Sequence, residues 1–161
     1  MSLIIVLQAL VVITIVIAAA MMARTYFRTD TEQQDLWKKS AENQNDALNK
    51  VIKERDITTF KEMLDPDVTR FYAKLPFRAE GTKAVADMMK SQLEGNEGPP
   101  EPMMYKKVQS YANCIVITYA FIMKITKEGK PADVTGKTTR VWSRGKGGRW
   151  FLAHEHVSFN G

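Results

Sequence analysis

The sequence has few of the residues that build metal sites and disulfides. It contains one cysteine, Cys114, and two histidines, His154 and His156. A single cysteine excludes an internal disulfide and a multi-cysteine metal site. The H-x-H pair could in principle bind a metal, act as an acid–base pair or simply belong to a β-strand. Because zinc usually takes three or four protein ligands, we predict no metal site and no cofactor.

Long runs of like charge are also missing. The formal net charge is +5, yet no run of lysine and arginine is longer than two residues. Basic patches that bind nucleic acid are more clustered than this. We therefore predict no nucleic-acid partner and interpret the charge as a solvated surface. Attraction to anionic lipid headgroups or to an acidic partner is the alternative.

One segment lacks charge altogether. Residues 3–22 read LIIVLQALVVITIVIAAAMM. A run of about 20 apolar residues is long enough to cross a bilayer as a helix, whereas a secretory signal has a basic segment before a shorter apolar stretch. We predict a transmembrane helix over residues 1–23, whose polar side chains could bond a neighbouring helix. The residues assigned to the membrane are Leu3, Gln8, Thr14 and Met22.

The charges that flank this segment predict its orientation. Arg24 and Arg28 follow it directly, and nothing basic precedes it. The positive-inside rule then places the C-terminal part in the cytoplasm. We predict a single-pass membrane protein with a juxtamembrane linker over residues 24–35. Residues 36–161 have the length of one typical domain.

Periodicity and turn signals predict helices first and then a run of strands. The predicted helices span residues 31–56, 57–64 and 82–93, and the predicted strands span residues 68–73, 103–112, 114–127, 133–144 and 149–159. This order is typical of an α+β fold. We expect the helices to cover one face of a strongly curved antiparallel sheet.

The strand over residues 114–127 is apolar on both faces. Side chains alternate along a strand, so one face carries the large residues from Ile115 to Ile125. A second face in contact with water should be polar, yet this one is small and mostly apolar. We therefore predict that it contacts another subunit or a partner. Its interface residues are Val116, Thr118, Ala120 and Ile122.

The last strand separates the histidines from the residue between them. One face of this strand carries Phe151, Ala153, Glu155, Val157 and Phe159, and we assign this face to the core. A buried carboxylate must find a partner or take up a proton, so Arg140 and Tyr119 are its candidate neighbours. His154 and His156 then lie on the opposite face with Trp150, Leu152 and Ser158, where we predict interface contacts.

Several of these segments together resemble a known family. They are DITTFKEMLDPDVTRFY from Asp56, the helix start at Glu80-Gly81, CIVITYAFI and TRVWSRGKGGRWFLAHEHVS. The most specific part is T-R-V-W-x-R, a turn, and W-x-x-x-H-x-H-x-S. Over residues 40–160 the chain resembles the association (hub) domain of calcium/calmodulin-dependent protein kinase II. More broadly, it is similar to SnoaL-like domains of the nuclear transport factor 2-like superfamily.

The resemblance implies a cone-shaped, cystatin-like α+β fold whose members commonly dimerise through the outer face of the sheet. Some members are isomerases or cyclases, and others are non-catalytic assembly modules. The hub pocket is lined by arginines that bind small carboxylates. Arg140 matches one of them, whereas Val157 and Tyr119 occupy the positions of two others. The resemblance therefore implies a pocket with few cations.

These observations favour a non-catalytic role. We predict a membrane-anchored interaction or assembly module, an accessory subunit of a larger membrane complex such as an energy-transducing one. Its partners would be the lipid bilayer and either other subunits or a second copy through the outer sheet face. The alternative is a membrane-tethered small-molecule binder or an isomerase or hydro-lyase, with Glu155 as base and Arg140 or Tyr119 holding an oxyanion.

Overall fold

The computed structural model describes residues 3–73, 75–94, 101–127 and 130–159. Within these ranges, the side chains of residues 3–16, 18–20, 22–29, 101–103, 125–127 and 131 are not described. The chain divides into two compact units, Met1–Leu36 and Trp37–Gly161.

Helix α1 spans Leu3–Lys53 and therefore includes residues 24–35, the predicted juxtamembrane linker. No glycine or proline occurs before Pro66, so nothing in this stretch breaks a helix. No helix among the residues with described side chains is long and apolar enough to cross a bilayer. The predicted span falls mostly outside those residues, as do its four named positions: Leu3, Gln8, Thr14 and Met22.

The second unit continues from α1 with short helices and strands. Helix α2 begins after Asp56, whose carboxylate accepts a hydrogen bond from the backbone N–H of Thr59 at 3.0 Å and caps the helix. The remaining elements follow in chain order. They are α2 (Ile57–Glu62), β1 (Leu64–Tyr72), β2 (Ala79–Glu80), α3 (Gly81–Glu94), β3 (Glu101–Tyr111), β4 (Cys114–Lys127), β5 (Lys130–Arg144) and β6 (Trp150–Phe159).

The described strands form one open, curved sheet of six strands in the order β2-β1-β6-β5-β4-β3. The predicted α+β class is confirmed, but the predicted antiparallel sheet is wrong because β1 pairs with β6 in parallel. The other neighbours are antiparallel. A parallel pair needs a long crossover, and here α3 and the strands β3 to β5 lie between the two partners.

Burial along β4 follows the predicted alternation. Ile115, Ile117 and Tyr119 are buried on the inner face, whereas Val116 and Thr118 between them are partly exposed. The inner face packs against buried residues of the helices, including Leu48 of α1, Phe60 of α2 and Val85 of α3. The core therefore lies between these helices and one face of the sheet.

Strand β6 departs from simple alternation at Ala153. Val141 pairs with His154 while the next residue, Trp142, pairs with Leu152, so Ala153 is an extra residue in β6. Such a bulge shifts the faces of the residues before it. Trp150 and Leu152 are consequently buried, so their predicted place on the outer face is wrong.

Beyond the bulge the predicted faces of β6 match the observed burial. Glu155 and Val157 are buried on the inner face. His154 is partly exposed and His156 is exposed. Phe151 lies before the bulge and is only partly buried, so its predicted place in the core is wrong.

Candidate functional site

A carboxylate between two arginines lies at the centre of the inner sheet face. Arg70 on β1 and Arg140 on β5 both stand opposite Glu155 on β6 in the strand register. Arg70 Nε donates to Glu155 Oε2 at 2.5 Å, and Arg140 Nε donates to Oε1 at 2.7 Å. Glu155 is only 2% exposed. Each carboxylate oxygen therefore has its own charged donor, the arrangement that makes a buried charge tolerable.

Amide side chains connect this ion triad to the helices. Arg140 Nη1 donates to Asn45 Oδ1 at 2.9 Å and to Asn49 Oδ1 at 2.7 Å, two residues one turn apart on α1. Arg70 Nη1 donates to Gln92 Oε1 of α3 at 2.9 Å. The triad thus links three strands to two helices, α1 and α3, which pack on the inner face of the sheet.

The electrostatics of the triad keep Glu155 ionised. Burial by itself raises the pKa of Glu155, but the charges of Arg70 and Arg140, together with their hydrogen bonds, outweigh burial and lower the pKa to about 2. Burial also opposes the charge on Arg140, yet Tyr119 and Glu155 raise the pKa of Arg140 above its ordinary value. A general base works best with a pKa near the working pH. Glu155 is therefore poorly suited to that role.

The inner face encloses a small cavity at the triad. Its volume is about 50 Å³, which suits a few water molecules and is well below the roughly 300 Å³ at which ligand pockets begin. Tyr119 lies in its wall, with its ring centre 5.5 Å from the guanidinium carbon of Arg140. Burial raises the pKa of the Tyr119 hydroxyl. Within the described part of the chain, Gln92 Nε2 has no hydrogen-bond partner.

The structure brings Glu155, Arg140 and Tyr119 to one cavity, and it adds Arg70 and Asn45, which were not predicted from the sequence. The signal for Arg70 is its place between the buried Val68 and Tyr72 in an alternating strand. Asn45 lies on the buried stripe of α1 with Ala41 and Leu48. With Arg70 present, the inner face holds two guanidinium groups against one carboxylate, so the expectation of a pocket with few cations is wrong.

The outer sheet face has a different character. Val116, Thr118, Ala120 and Ile122 of β4 are all partly exposed. Val141 of β5 extends this row, since it pairs with Val116 in the strand register. Aliphatic side chains therefore continue across two neighbouring strands on a face open to solvent.

The two histidines lie further along the outer face beside an aromatic ring of β1. Thr69 Oγ1 and His154 Nδ1 are 2.8 Å apart and share a hydrogen bond. The Phe71 ring centre lies 6.2 Å from that of His154 and 5.9 Å from that of His156. Burial, followed by the charge of His156, lowers the pKa of His154. No group of three or more residues suited to bind a metal occurs in the described ranges.

A sequence model of the calcium/calmodulin-dependent protein kinase II association domain matches residues 32–161. No curated protein sequence matches the chain. The hub homology domain of this kinase from Chlamydamonas reinhardtii is 25% identical, with a TM-score of 0.59 over 76% of this chain and 97% of that one.

Two further solved structures share the fold. The association domain of the kinase from C. elegans is 20% identical, with a TM-score of 0.63 over 79% of this chain and 98% of that one. A nuclear transport factor 2-like superfamily protein from Salmonella enterica is 15% identical, with a TM-score of 0.66 over 79% of this chain and 93% of that one. The resemblance noted from the sequence is confirmed, and the chain belongs to the calcium/calmodulin-dependent protein kinase II association domain family.

Proposed function

We propose that this protein is a non-catalytic assembly module that associates with a second copy of itself through the outer sheet face. The observation that carries the proposal is the row of partly exposed, mostly apolar side chains on β4, continued by Val141 on β5. A sheet face in contact with water is usually polar, and a contiguous apolar patch is typical of an interaction surface. Membership of an association-domain family supports this assignment.

The inner face of the sheet supports a non-catalytic role. Glu155 is bound by two arginines and has a pKa of about 2, so it would accept a substrate proton poorly near neutral pH. The cavity beside it has room for little more than water. The triad serves to join helices and sheet, and the surface available for function is the outer one.

Membrane attachment is part of the proposal. The uncharged run over residues 3–22, followed by Arg24 and Arg28, supports a single-pass anchor with the domain in the cytoplasm. An anchored assembly module would act as an accessory subunit that brings copies or partner subunits together at a bilayer.

The mass of the full chain in mild detergent tests the proposal. We expect light scattering at neutral pH to give a protein mass of at least two chains after subtraction of the detergent. A monomer at concentrations of tens of micromolar, with no co-purified subunit, would contradict self-association. Partition of the chain into the aqueous phase in the absence of detergent would contradict membrane attachment but not self-association.

A small-molecule-binding role is the second candidate. The unpartnered Gln92 Nε2 lines both the inner cavity and an adjoining groove of about 560 Å³, a volume within the range of ligand pockets. Native mass spectrometry tests this role. A retained small molecule that is lost in a Gln92→Leu variant would favour it, whereas retention in that variant would place the molecule elsewhere.

A further inference from the structure

The two histidines of β6 belong to the face proposed for assembly. His154 and His156 share this face with Thr139 and Val141, their register partners on β5. On the other side they pair with Thr69 and Phe71 of β1. The two imidazoles are therefore neighbours of the apolar row and would be covered by a second copy placed on it.

Two cationic groups lie near the imidazoles. Lys137 of β5 is exposed on the same face, paired with Ser158 two residues after His156. The Arg78 guanidinium carbon lies 6.0 Å from the centre of the Phe71 ring, which both histidines contact. These positive charges disfavour protonation of a nearby imidazole.

The acidic groups near the histidines are paired with arginines or exposed to water. Glu80 of β2 stands opposite Thr69 and forms an ion pair with Arg78. Glu155 lies between the histidines in sequence, but it points to the inner face and is bound by Arg70 and Arg140. Asp67 precedes Thr69 by two residues on β1, and its carboxylate is exposed to water.

Association would change the environment of these rings. A second copy on this face removes water from the imidazoles, and burying a charge without a partner is unfavourable. Two copies also bring two sets of the same positive groups together. Neutral imidazoles avoid both costs, and the Thr69 hydroxyl can donate a hydrogen bond to the neutral Nδ1 of His154.

We propose that self-association through the outer sheet face is controlled by pH, with His154 and His156 as the titrating groups. Copies associate when both imidazoles are neutral and separate as the pH falls and the rings take up protons. This inference rests on the proposed function, because it requires the outer face to be the assembly surface. It adds the condition under which that surface is available.

Sedimentation velocity of the full chain in mild detergent at pH 8.0 and pH 5.5 tests the inference. Histidine gains its proton between pH 8 and pH 5, and an interface that excludes protonated rings weakens as they become charged. We expect a several-fold higher dissociation constant at pH 5.5 than at pH 8.0 in the wild type.

A His154→Gln/His156→Gln variant provides the control, and its thermal unfolding at both pH values establishes whether it folds. We expect it to associate with nearly equal affinity at pH 8.0 and pH 5.5. If the double variant unfolds, His156→Gln alone is used, since His156 is exposed, and we expect a smaller pH dependence than in the wild type.

The outcomes separate the two proposals. Equal affinity of the wild type at both pH values overturns the pH control and leaves the assembly function intact. An undiminished pH dependence in the folded histidine variant also overturns the inference, because other groups would then titrate. A monomeric wild type at pH 8.0 overturns the assembly function and this inference together.

Discussion

Glu155 lies on the inner face of β6 with a guanidinium group bound to each of its carboxylate oxygens. Removing the carboxylate leaves two like charges facing each other in the core. Removing one arginine leaves a neutral pair that still has good geometry. The consequences of single substitutions in the triad should therefore differ strongly, because loss of Glu155 breaks both buried ion pairs and loss of one arginine breaks only one.

We expect Glu155→Gln to lower the free energy of unfolding by about 3–5 kcal/mol, the usual range when a buried charge loses its partner. Arg70→Met should cost clearly less, because Arg140 and Glu155 remain paired. Urea unfolding followed by circular dichroism measures both. Glu54→Gln, which breaks the exposed pair with Lys50, is the control, and we expect a change within about 0.5 kcal/mol. Equal losses for Glu155→Gln and Glu54→Gln would contradict the structural role of the triad.

The low pKa of Glu155 also predicts the acid behaviour of the protein. The folded-state pKa of about 2 lies below the ordinary value of 4.5, so the stability gained from the carboxylate is fully present above about pH 4.5. It is lost as the pH falls from there through the folded pKa. We expect the stability difference between wild type and Glu155→Gln to shrink between pH 5 and pH 2.5. A constant difference across this range would contradict the lowered pKa, because it would mean that Glu155 titrates alike in the folded and unfolded states.

Part of this site could be predicted from the sequence. Alternation places Glu155 on the inner face and identifies Arg140 and Tyr119 as its neighbours across the antiparallel strands. Arg70 could not be predicted in this way, because its contact with Glu155, 85 residues away in the sequence, depends on the parallel pairing of β1 and β6. Local patterns do not encode such a pairing, so the second arginine appears only when the sheet order is known.

At the scale of elements, local patterns predict β4 better than β6. The inner and outer residues of β4 follow strict alternation because no extra residue interrupts the strand. In β6 the bulge at Ala153 reverses the faces of Trp150 and Leu152. A bulge is one additional residue in an otherwise ordinary strand, and hydrophobic alternation alone does not locate it. Helix α1 is longer than predicted because charged residues after the apolar run are as compatible with a helix as with a linker.

The close packing of β5 against the core gives a prediction at this scale. A β-carbon at Gly136 would lie 2.3 Å from Cζ of Phe121 on β4 and 2.7 Å from the backbone oxygen of Ser158 on β6. Overpacking of this kind typically costs about 1–3 kcal/mol. We expect Gly136→Ala to destabilise the protein in this range in thermal or urea unfolding, while Lys137→Ala, at the exposed next position, has little effect.

A double variant that combines Gly136→Ala with Phe121→Leu identifies the cause of this destabilisation. We expect the cost of Gly136→Ala to be smaller in the Phe121→Leu background than in the wild type, because the ring that the methyl group meets is gone. An unchanged cost in both backgrounds would assign the effect to the Ser158 backbone or to the chain conformation at Gly136.

At the scale of the whole molecule, the fold alone does not decide the function. Families that share a fold often differ in activity, so function has to be argued from particular surfaces. Here the inner face is occupied by an ion triad that joins α1, α3 and three strands. The outer face exposes an aliphatic row next to two titratable rings. Side-chain alternation along β4 and the lack of charge on its outer face predict this surface as an interface, and that remains a prediction.

The most direct test of the account is the mass of a Val116→Lys variant in solution beside that of the wild type. Val116 is partly exposed in the outer row beside Val141 of β5, so a lysine there should leave the core intact while placing two charges in a symmetric interface. Asn43→Lys adds the same charge at an exposed position of α1 and is the control. With light scattering at pH 8.0 we expect Val116→Lys to be monomeric, and the wild type and Asn43→Lys to contain at least two chains. A folded Val116→Lys variant that keeps the wild-type mass would contradict assembly through the outer sheet face.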